Sequence, residues 1–363
     1  MNSPPPHLVR REGLDLAPFN VLPESLWRAT LNITNYNGLD NLEAYLPLNL
    51  IAVSQSPYCD EVVVVDDGSV DGSAEFIRRN FPKVKLVCIE RNRGFGNAAN
   101  RGLEAAKNDY VVNISNDMVI TPQFFRVLFE SMAFEDVFCV TSRLVGVDGR
   151  LQRGRTVPFF MGDFKMWKVL SREPPVDLRN RDRLYAHFCG AIGLFNKRIF
   201  QEIGGFDDLY LPFYVEENDL CYRAWKRGYR VLYEPRAWVM HYHEESGTIL
   251  HNFSWEKRKI QYKKNRFIFL WKNLTSPHYI VLHLVWLTAS FCFSWVTGNI
   301  IFYKAFKLAL ERWDEIMEAR REEVPYFVRS DQDVHDLMSR DFYLPESGLH
   351  GSFPMIEAGS RKA

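Results

Sequence analysis

The sequence predicts an α/β fold: a mostly parallel sheet flanked by helices, then a C-terminal helical and partly hydrophobic extension. Three observations carry this reading. Val62-Val63-Val64-Val65 is an unbroken β-branched run, the pattern of a strand buried on both faces. Strand-length apolar runs alternate with helical patterns up to about residue 132, the rhythm of strand–helix–strand units. Acidic and small residues, Asp66-Asp67-Gly68-Ser69 and Ser115-Asn116-Asp117, close two of these strands, where an open α/β sheet places its ligand.

Residues 1–27 mix proline and charge and read as an N-terminal arm without the apolar core of a secretory signal. Residues 28–255 read as the main domain. Ala29–Thr34 is a strand, Asn35-Tyr36-Asn37-Gly38 a turn, and residues 42–54 a helix. After the Val62–Val65 strand, Asp71-Gly72-Ser73 opens a helix to about Asn80. Lys83–Ile89 is a third strand, residues 97–106 a helix, and Tyr110–Ile114 a fourth strand. Pro122 suits the first turn of a helix that runs to about Met132. Residues 148–188, with Arg150, Arg153 and Arg155, read as a long connecting or acceptor-facing segment. Gly190–Phe195 is a small-residue strand, and residues 216–228 a helix with Gly228 at its C-cap. Tyr229–Tyr233 and Ala237–Met240 are strands, the second ending at His241-Tyr242-His243.

Residues 256–321 form a basic and hydrophobic helical extension, and residues 322–363 a polar, irregular tail. Tyr279–Tyr303 has no formal charge apart from His283 and is long enough to span a bilayer. A buried helical pair, a membrane span and helices lying in the membrane interface all fit it. Basic residues flank both sides, Lys263, Lys264, Arg266 and Lys272 before and Lys304, Lys307 and Arg312 after. That symmetry favours peripheral membrane contact through residues 260–312 over a single span.

The chain has 45 basic and 45 acidic residues, so nothing global argues for nucleic acid or a strongly charged partner. None of its six cysteines forms a Cys-x-x-Cys pair, which points to reduced thiols in a cytosolic compartment and to no zinc site. Three acidic sites end three elements: Asp66-Asp67, Asn116-Asp117 and Glu216-Glu217. Converging in one crevice, such carboxylates can hold a divalent ion with a diphosphate; taken singly, each reads equally as a surface acid. His241 and His243 read as metal ligands or as an ordinary strand end. Asp219, four residues before Arg223, reads as a cap or ion-pair partner. Gly94-x-Gly96-x-x-Ala99 partly fits a dinucleotide fingerprint, making an oxidoreductase a lesser alternative, but it follows the third strand after a loop holding Arg91 and Arg93.

Taken in order, Asn35-Tyr36-Asn37-Gly38, Val65-Asp66-Asp67-Gly68-Ser69, Asn92-Arg93-Gly94-Phe95-Gly96-Asn97-Ala98-Ala99-Asn100, Ser115-Asn116-Asp117, Gly204-Gly205-Phe206-Asp207, Glu216-Glu217-Asn218-Asp219 and His241-Tyr242-His243 resemble the family 2 glycosyltransferases of GT-A type. That group includes bacterial rhamnosyltransferase-like enzymes, and the resemblance covers about residues 28–275. It implies a nucleotide-diphosphate sugar donor, a divalent metal (Mn²⁺ or Mg²⁺) and usually inversion at the anomeric carbon. A glycan or lipid-linked saccharide acceptor, and a cytoplasmic place at the inner face of the membrane, are the matching expectations. Asn35, Asn37, Asp66, Asp67, Asn92, Gly94, Gly96, Asn100 and Asn116 match donor-binding positions. Asp117 matches the last acid of the metal motif, with His241 or His243 as a further ligand. Glu217 matches the catalytic base, with Glu216 beside it as the alternative. Two departures stand out: Ser115 and Asn116 replace the earlier acid of the metal motif, and Glu217 stands where aspartate is usual. They leave open a non-catalytic nucleotide-sugar-binding protein on the same fold.

Overall fold

The computed structural model describes residues 22–132, 134–160, 162–169, 183–190, 192–242, 253–339 and 341–342. His243 and nearly all of the N-terminal arm lie outside the described residues. Strands β1 (Ala29–Asn35), β2 (Cys59–Asp67), β3 (Lys85–Ile89) and β4 (Tyr110–Ser115) form a parallel group in the order β3-β2-β1-β4. Helices α1 (Leu39–Ser54), α2 (Ser73–Asn80) and α3 (Phe95–Ala105) connect them. Val62–Asp67 is buried throughout, as its apolar run requires of a central strand.

Beyond β4 the sheet is mixed. A two-residue strand, β5 (Met118–Val119), and α4 (Phe124–Ser131) lead to β6 (Val137–Gly146), followed by the short strands β7 (Leu151–Arg153), β8 (Thr156–Phe160), β9 (Phe164–Val169) and β10 (Arg183–Tyr185). Next come β11 (Gly193–Asn196), α5 (Lys197–Glu202), α6 (Glu216–Lys226) and β12 (Arg230–His241). β11 runs antiparallel between β4 and β6, and β12 runs parallel to β6. The sheet is parallel through its first four strands and again between β6 and β12, with antiparallel pairings at β11, β7, β5 and β10. The described parts of residues 148–188 are more regular than expected: β7 pairs with β6, and β8 pairs with β9 in a separate two-stranded sheet. The two strands expected after Gly228 are one strand whose pairing shifts between Glu234 and Trp238. Pro235 sits at that irregularity, where a missing N–H is tolerated.

The extension is helical: α7 (Trp255–Asn273), α8 (Pro277–Thr297), α9 (Ile300–Leu310) and α10 (Trp313–Glu323), then α11 (Asp331–Ser339) and β13 (Asp341–Phe342). Gly298, in the left-handed region at φ 65°, separates α8 from α9. The tail is not irregular at its start. β13 pairs with β10 at the sheet edge, and Asp331 is buried. Asp331 Oδ1 accepts from Lys226 Nζ at 2.8 Å and Tyr222 Oη at 2.6 Å, and Oδ2 accepts from the backbone of Thr275 and Ser276.

One face of α8 packs on the domain through Tyr279, His283 and Ser294, with Trp286 and Phe291 against the core. The other face, with Val281, Leu282, Leu284, Val285, Phe293 and Val296, is exposed. The most apolar window of α8 is only 11% buried, so the reading of this stretch as a buried helical pair does not hold for α8. Among the described residues, α8 is the one helix long and apolar enough to cross a membrane.

Candidate active site

A cavity of about 870 Å³ opens at the carboxyl ends of β1, β2 and β4, the crevice where a parallel sheet takes a ligand. It is lined by Asn35, Asn37, Asp67, Asn92, Gly94, Asn116, Asp117, Glu216, Glu217 and His241 among the residues singled out from the sequence. Tyr36, Asn41, Gln152, Arg153, Phe188, Tyr214, Asn218, Phe253 and Tyr262 join them.

Side-chain amides organise the floor. Asn116 donates through Nδ2 to Asn35 Oδ1 at 2.6 Å and accepts from Asn41 Nδ2 at 3.3 Å. Asn35 donates through Nδ2 to Asp66 Oδ1 at 2.8 Å, which also accepts from Ser69 Oγ at 2.6 Å. Asp66 is thus buried behind the cavity, holding Asn35 rather than facing a ligand. Asp67 does face the cavity, but its oxygens accept from Arg93 N and Gly94 N, both at 2.8 Å. Burial pushes its carboxyl up to about 6, against those two hydrogen bonds. It clamps the Asn92–Gly94 loop over the cavity.

The loop needs its glycines. Gly94 has φ 83°, and a Cβ there would lie 2.6 Å from Pro212 O. At Gly96 a Cβ would crowd Phe206 Cβ at 3.1 Å and would stand in ordinary contact with Glu216 Cγ at 3.9 Å, so its absence leaves room for Phe206. Neither Gly96 nor Asn100 lines the cavity. Asn100 is used internally, donating through Nδ2 to Phe206 O at 2.8 Å and accepting from Phe206 N at 2.9 Å.

Asp117 and His241 meet although 124 positions apart: His241 Nε2 stands 3.1 Å from Asp117 Oδ2, and its Nδ1 stands 2.6 Å from Gln152 Oε1. β12 brings them together by pairing His241 with Met118 of β5. Asp117 Oδ1 is buried without a hydrogen-bond partner. A carboxylate oxygen left free beside an imidazole is a donor set that suits Mn²⁺, and Mg²⁺ less closely. Among the described residues no three His, Cys, Asp or Glu side chains cluster as a metal site. Asp117 and His241 could give such an ion two donors.

Across the cavity, α6 begins with the acidic pair. Tyr214 and Val215 lead into it with φ 76° and 78°, a conformation costing about 1–3 kcal/mol for such residues and found chiefly at functional sites. Glu216 is buried, with Oε2 unpartnered; Glu217 is the more open of the two. Burial raises both carboxyls above their usual range. Their mutual repulsion adds to this for Glu216, while the Arg153 charge offsets part of it for Glu217. Asp219, by contrast, is structural as its spacing suggested. It accepts from Arg223 Nε at 2.7 Å, Tyr210 Oη at 2.7 Å, Asn273 Nδ2 at 2.8 Å and Lys272 Nζ at 3.0 Å.

Four buried oxygens of this cavity have no partner: Asn41 Oδ1, Asp117 Oδ1, Glu216 Oε2 and Asn218 Oδ1. Unsatisfied buried polar atoms are rare in native proteins, and four of those among the described residues belong to side chains that line this cavity. The dinucleotide alternative loses its footing, because Gly94 and Gly96 stand at the start of α3, after the third strand and not after β1.

A family model described as glycosyl transferase family 2 matches residues 31–204. Poly-beta-1,6-N-acetyl-D-glucosamine synthase of Staphylococcus aureus (strain MSSA476) is 26% identical over 223 residues, 58% of this chain and 49% of its own length. N-acetylglucosaminyl-diphospho-decaprenol L-rhamnosyltransferase of Mycobacterium tuberculosis (strain ATCC 25618 / H37Rv) is 25% identical over 235 residues, 58% of this chain and 75% of its own length. The chain thus spans about half the length of the first of these relatives. The structure of S. aureus TarS 1-349 in complex with UDP-GlcNAc superposes with a TM-score of 0.51 at 16% identity, over 85% of this chain and 90% of that one. That of GalNAc-T7 with UDP, GalNAc and Mn²⁺ gives 0.53 at 18%, over 68% and 48%. At these identities the likeness is one of fold.

Proposed function

Residues 31–204 make this chain a member of glycosyl transferase family 2, and from that premise we propose that it moves a sugar from a nucleotide-diphosphate donor to a hydroxyl of a glycan or lipid-linked acceptor, with inversion and with a divalent metal. The observation that carries this is the convergence in one cavity of Asp117 with His241, the Asn35–Asn116 amide network and the Glu216-Glu217 pair. The similar structures were solved with UDP-GlcNAc, and with UDP, GalNAc and Mn²⁺, and the relatives named above act on N-acetylglucosamine-containing glycans or lipid-linked saccharides by their names.

The donor's nucleotide lies against Asn35, Asn37 and the loop clamped by Asp67. Asp117 and His241 would hold the cation, which supplies charge neutralisation for the departing diphosphate. The acceptor enters along Tyr214, Phe253 and Tyr262, whose rings suit sugar faces. Its hydroxyl is a poor nucleophile near neutral pH, so Glu217 takes the proton as the new C1–O bond forms. One displacement with one base inverts the anomeric carbon. Glu216, buried beneath, keeps its own proton longer and leaves Glu217 as the base. The exposed apolar face of α8 supports a position at the inner face of the cytoplasmic membrane, where a lipid-linked acceptor would be met.

Glu217→Gln tests the assignment. Wild type should release nucleoside diphosphate from its donor in the presence of Mn²⁺ and acceptor. The variant should lose transfer by a factor of about 10² or more while binding nucleotide and Mn²⁺ with unchanged affinity in calorimetry. Full turnover by the variant would move the base elsewhere, and no release by wild type with any donor would favour a binding protein on the same fold.

A further inference from the structure

The segment Tyr210–Val215 approaches the acidic pair through two consecutive left-handed residues, and its carbonyls turn toward one buried amide. Asn265 of α7 is fully buried. Its Nδ2 lies 2.7 Å from Tyr210 O, 2.9 Å from Phe213 O and 2.7 Å from Tyr214 O. One turn earlier, Gln261 donates through Nε2 to Leu211 O at 2.8 Å and stands 3.2 Å from Asn265 Oδ1. Lys264 donates to Leu211 O at 3.2 Å. Such a gathering of carbonyls around a two-proton donor is satisfied only while the loop keeps this shape. The shape is not one that Tyr214 and Val215 adopt unaided, since a β-branched residue at φ 78° is a backbone outlier. The carbonyl of Val215 then receives Asp219 N at 2.9 Å and starts the helix that carries Glu216 and Glu217.

We propose that Asn265, assisted by Gln261, is a positioning residue that holds the 210–215 loop in its left-handed form and so keeps Glu217 aimed into the cavity. Its effect on transfer rests on the reading of Glu217 as the base; its effect on the loop does not. The donor half of the cavity is built by β1, β2 and β4, and meets this loop where Gly94 lies against Pro212. A purely structural anchor is available for comparison: Arg320 of α10 donates through Nη1 to Trp271 O and Lys272 O, both at 3.0 Å, at the other end of α7.

The test pairs Asn265→Ala with Gln261→Met and with Arg320→Met as the control, in the full chain. Chymotrypsin reads the loop without any substrate, because Phe213 is buried and Tyr214 half-buried when the loop is held. Cleavage after Phe213 or Tyr214 should be about tenfold faster in Asn265→Ala and severalfold faster in Gln261→Met, because local opening sets the rate. Arg320→Met should lower the melting temperature without opening this site. Should Asn265→Ala fail to fold, Gln261→Met decides by the same cleavage. With whichever of a UDP-, GDP- or dTDP-sugar set wild type hydrolyses with Mn²⁺, Asn265→Ala should lower kcat about tenfold with KM for the donor within about twofold. Wild-type cleavage rates in both loop variants, or equal effects in the Arg320 control, overturn the proposal. If wild type hydrolyses none of the donors, the transferase reading falls, and the cleavage rates still decide the role of Asn265.

Discussion

In the proposed transfer reaction, Glu217 and the nearby charge of Arg153 would set the pH dependence. Burial holds Glu217 protonated to a higher pH than an ordinary glutamate, and the Arg153 guanidinium partly counters that. Glu216 is pushed further in the same direction by burial and by Glu217 beside it. Only an ionised carboxylate takes the acceptor's proton, so transfer should rise with pH as this pair loses its protons, with a midpoint above the usual carboxylate range. Removing a nearby cation disfavours the charged form and raises the pKa. Arg153→Gln should therefore move the acidic limb of the kcat profile to higher pH; an unmoved limb, or one moved downward, would mean that Arg153 does not face the working base. At this scale the sequence showed motif residues and hid their partners. Asp117 and Glu217 stand in recognisable strings, whereas Asn41 and Gln152 carry no local signature. Gln152 reaches His241 only because β7 folds back on β6.

At the scale of elements, strands with uniform runs or with single polar residues between apolar ones, such as β2, β1 and β4, were legible, and one with three polar residues in succession was not. Val62–Val65 announces β2. β6 passes unannounced because Thr141, Ser142 and Arg143 break its apolar run, although Thr141 is satisfied internally by donating to Cys189 O at 2.9 Å or Ile192 O at 3.0 Å. The tail was misread for the same kind of reason: Asp331 looks like a surface acid until Lys226, 105 positions away, is placed beside it. Burial alone would raise the Asp331 carboxyl, but Lys226, Tyr222 and the Ser276 N–H hold it below its ordinary 3.8. A depressed folded-state pKa contributes stability that is present above the unfolded value and is lost as pH falls through the folded one. The docking of α11 should therefore weaken in acid below about pH 4, together with that of α7, whose Lys272 pairs with the similarly depressed Asp219. Asp331→Asn leaves Lys226 buried without its counter-charge and should cost about 3–5 kcal/mol at neutral pH by urea unfolding, with a shallower loss of stability in acid than wild type. A cost under about 1 kcal/mol would show that the pair is no more than a surface bridge.

For the whole molecule, the open question raised by the sequence was what covers residues 279–303. A helix apolar on every side needs an apolar environment, yet Trp295 and Val296 of α8 are 82% and 83% exposed. The inner face of α8 is fastened lengthwise to the domain. His283 Nδ1 stands 2.8 Å from Gly162 O, Trp271 Nε1 donates to His283 Nε2 at 3.1 Å, and Tyr303 Oη of α9 donates to Phe291 O at 2.7 Å. A helix attached along its length cannot cross a bilayer without drawing the domain in with it, so α8 fits a position in the membrane plane with its outer face in the acyl layer. The neighbouring charge agrees: residues 255–263 and 300–311 carry Lys257, Arg258, Lys259, Lys263, Lys304 and Lys307 against Glu256 and Glu311, a net attraction to anionic headgroups. Phe253 and Tyr262 of the cavity wall lie at the start of this same basic stretch, so a docked chain would present its acceptor entrance near the headgroups. The expected outcome is that the protein floats with phosphatidylglycerol-containing vesicles in a density gradient, less so at high salt. Val285→Glu with Val296→Glu should abolish flotation and leave thermal unfolding unchanged, because both side chains are exposed in the folded chain. A wild-type protein that stays below the vesicles, scatters light as a dimer, and becomes monomeric in that double variant would instead show that a second copy covers α8, and the membrane reading would be withdrawn.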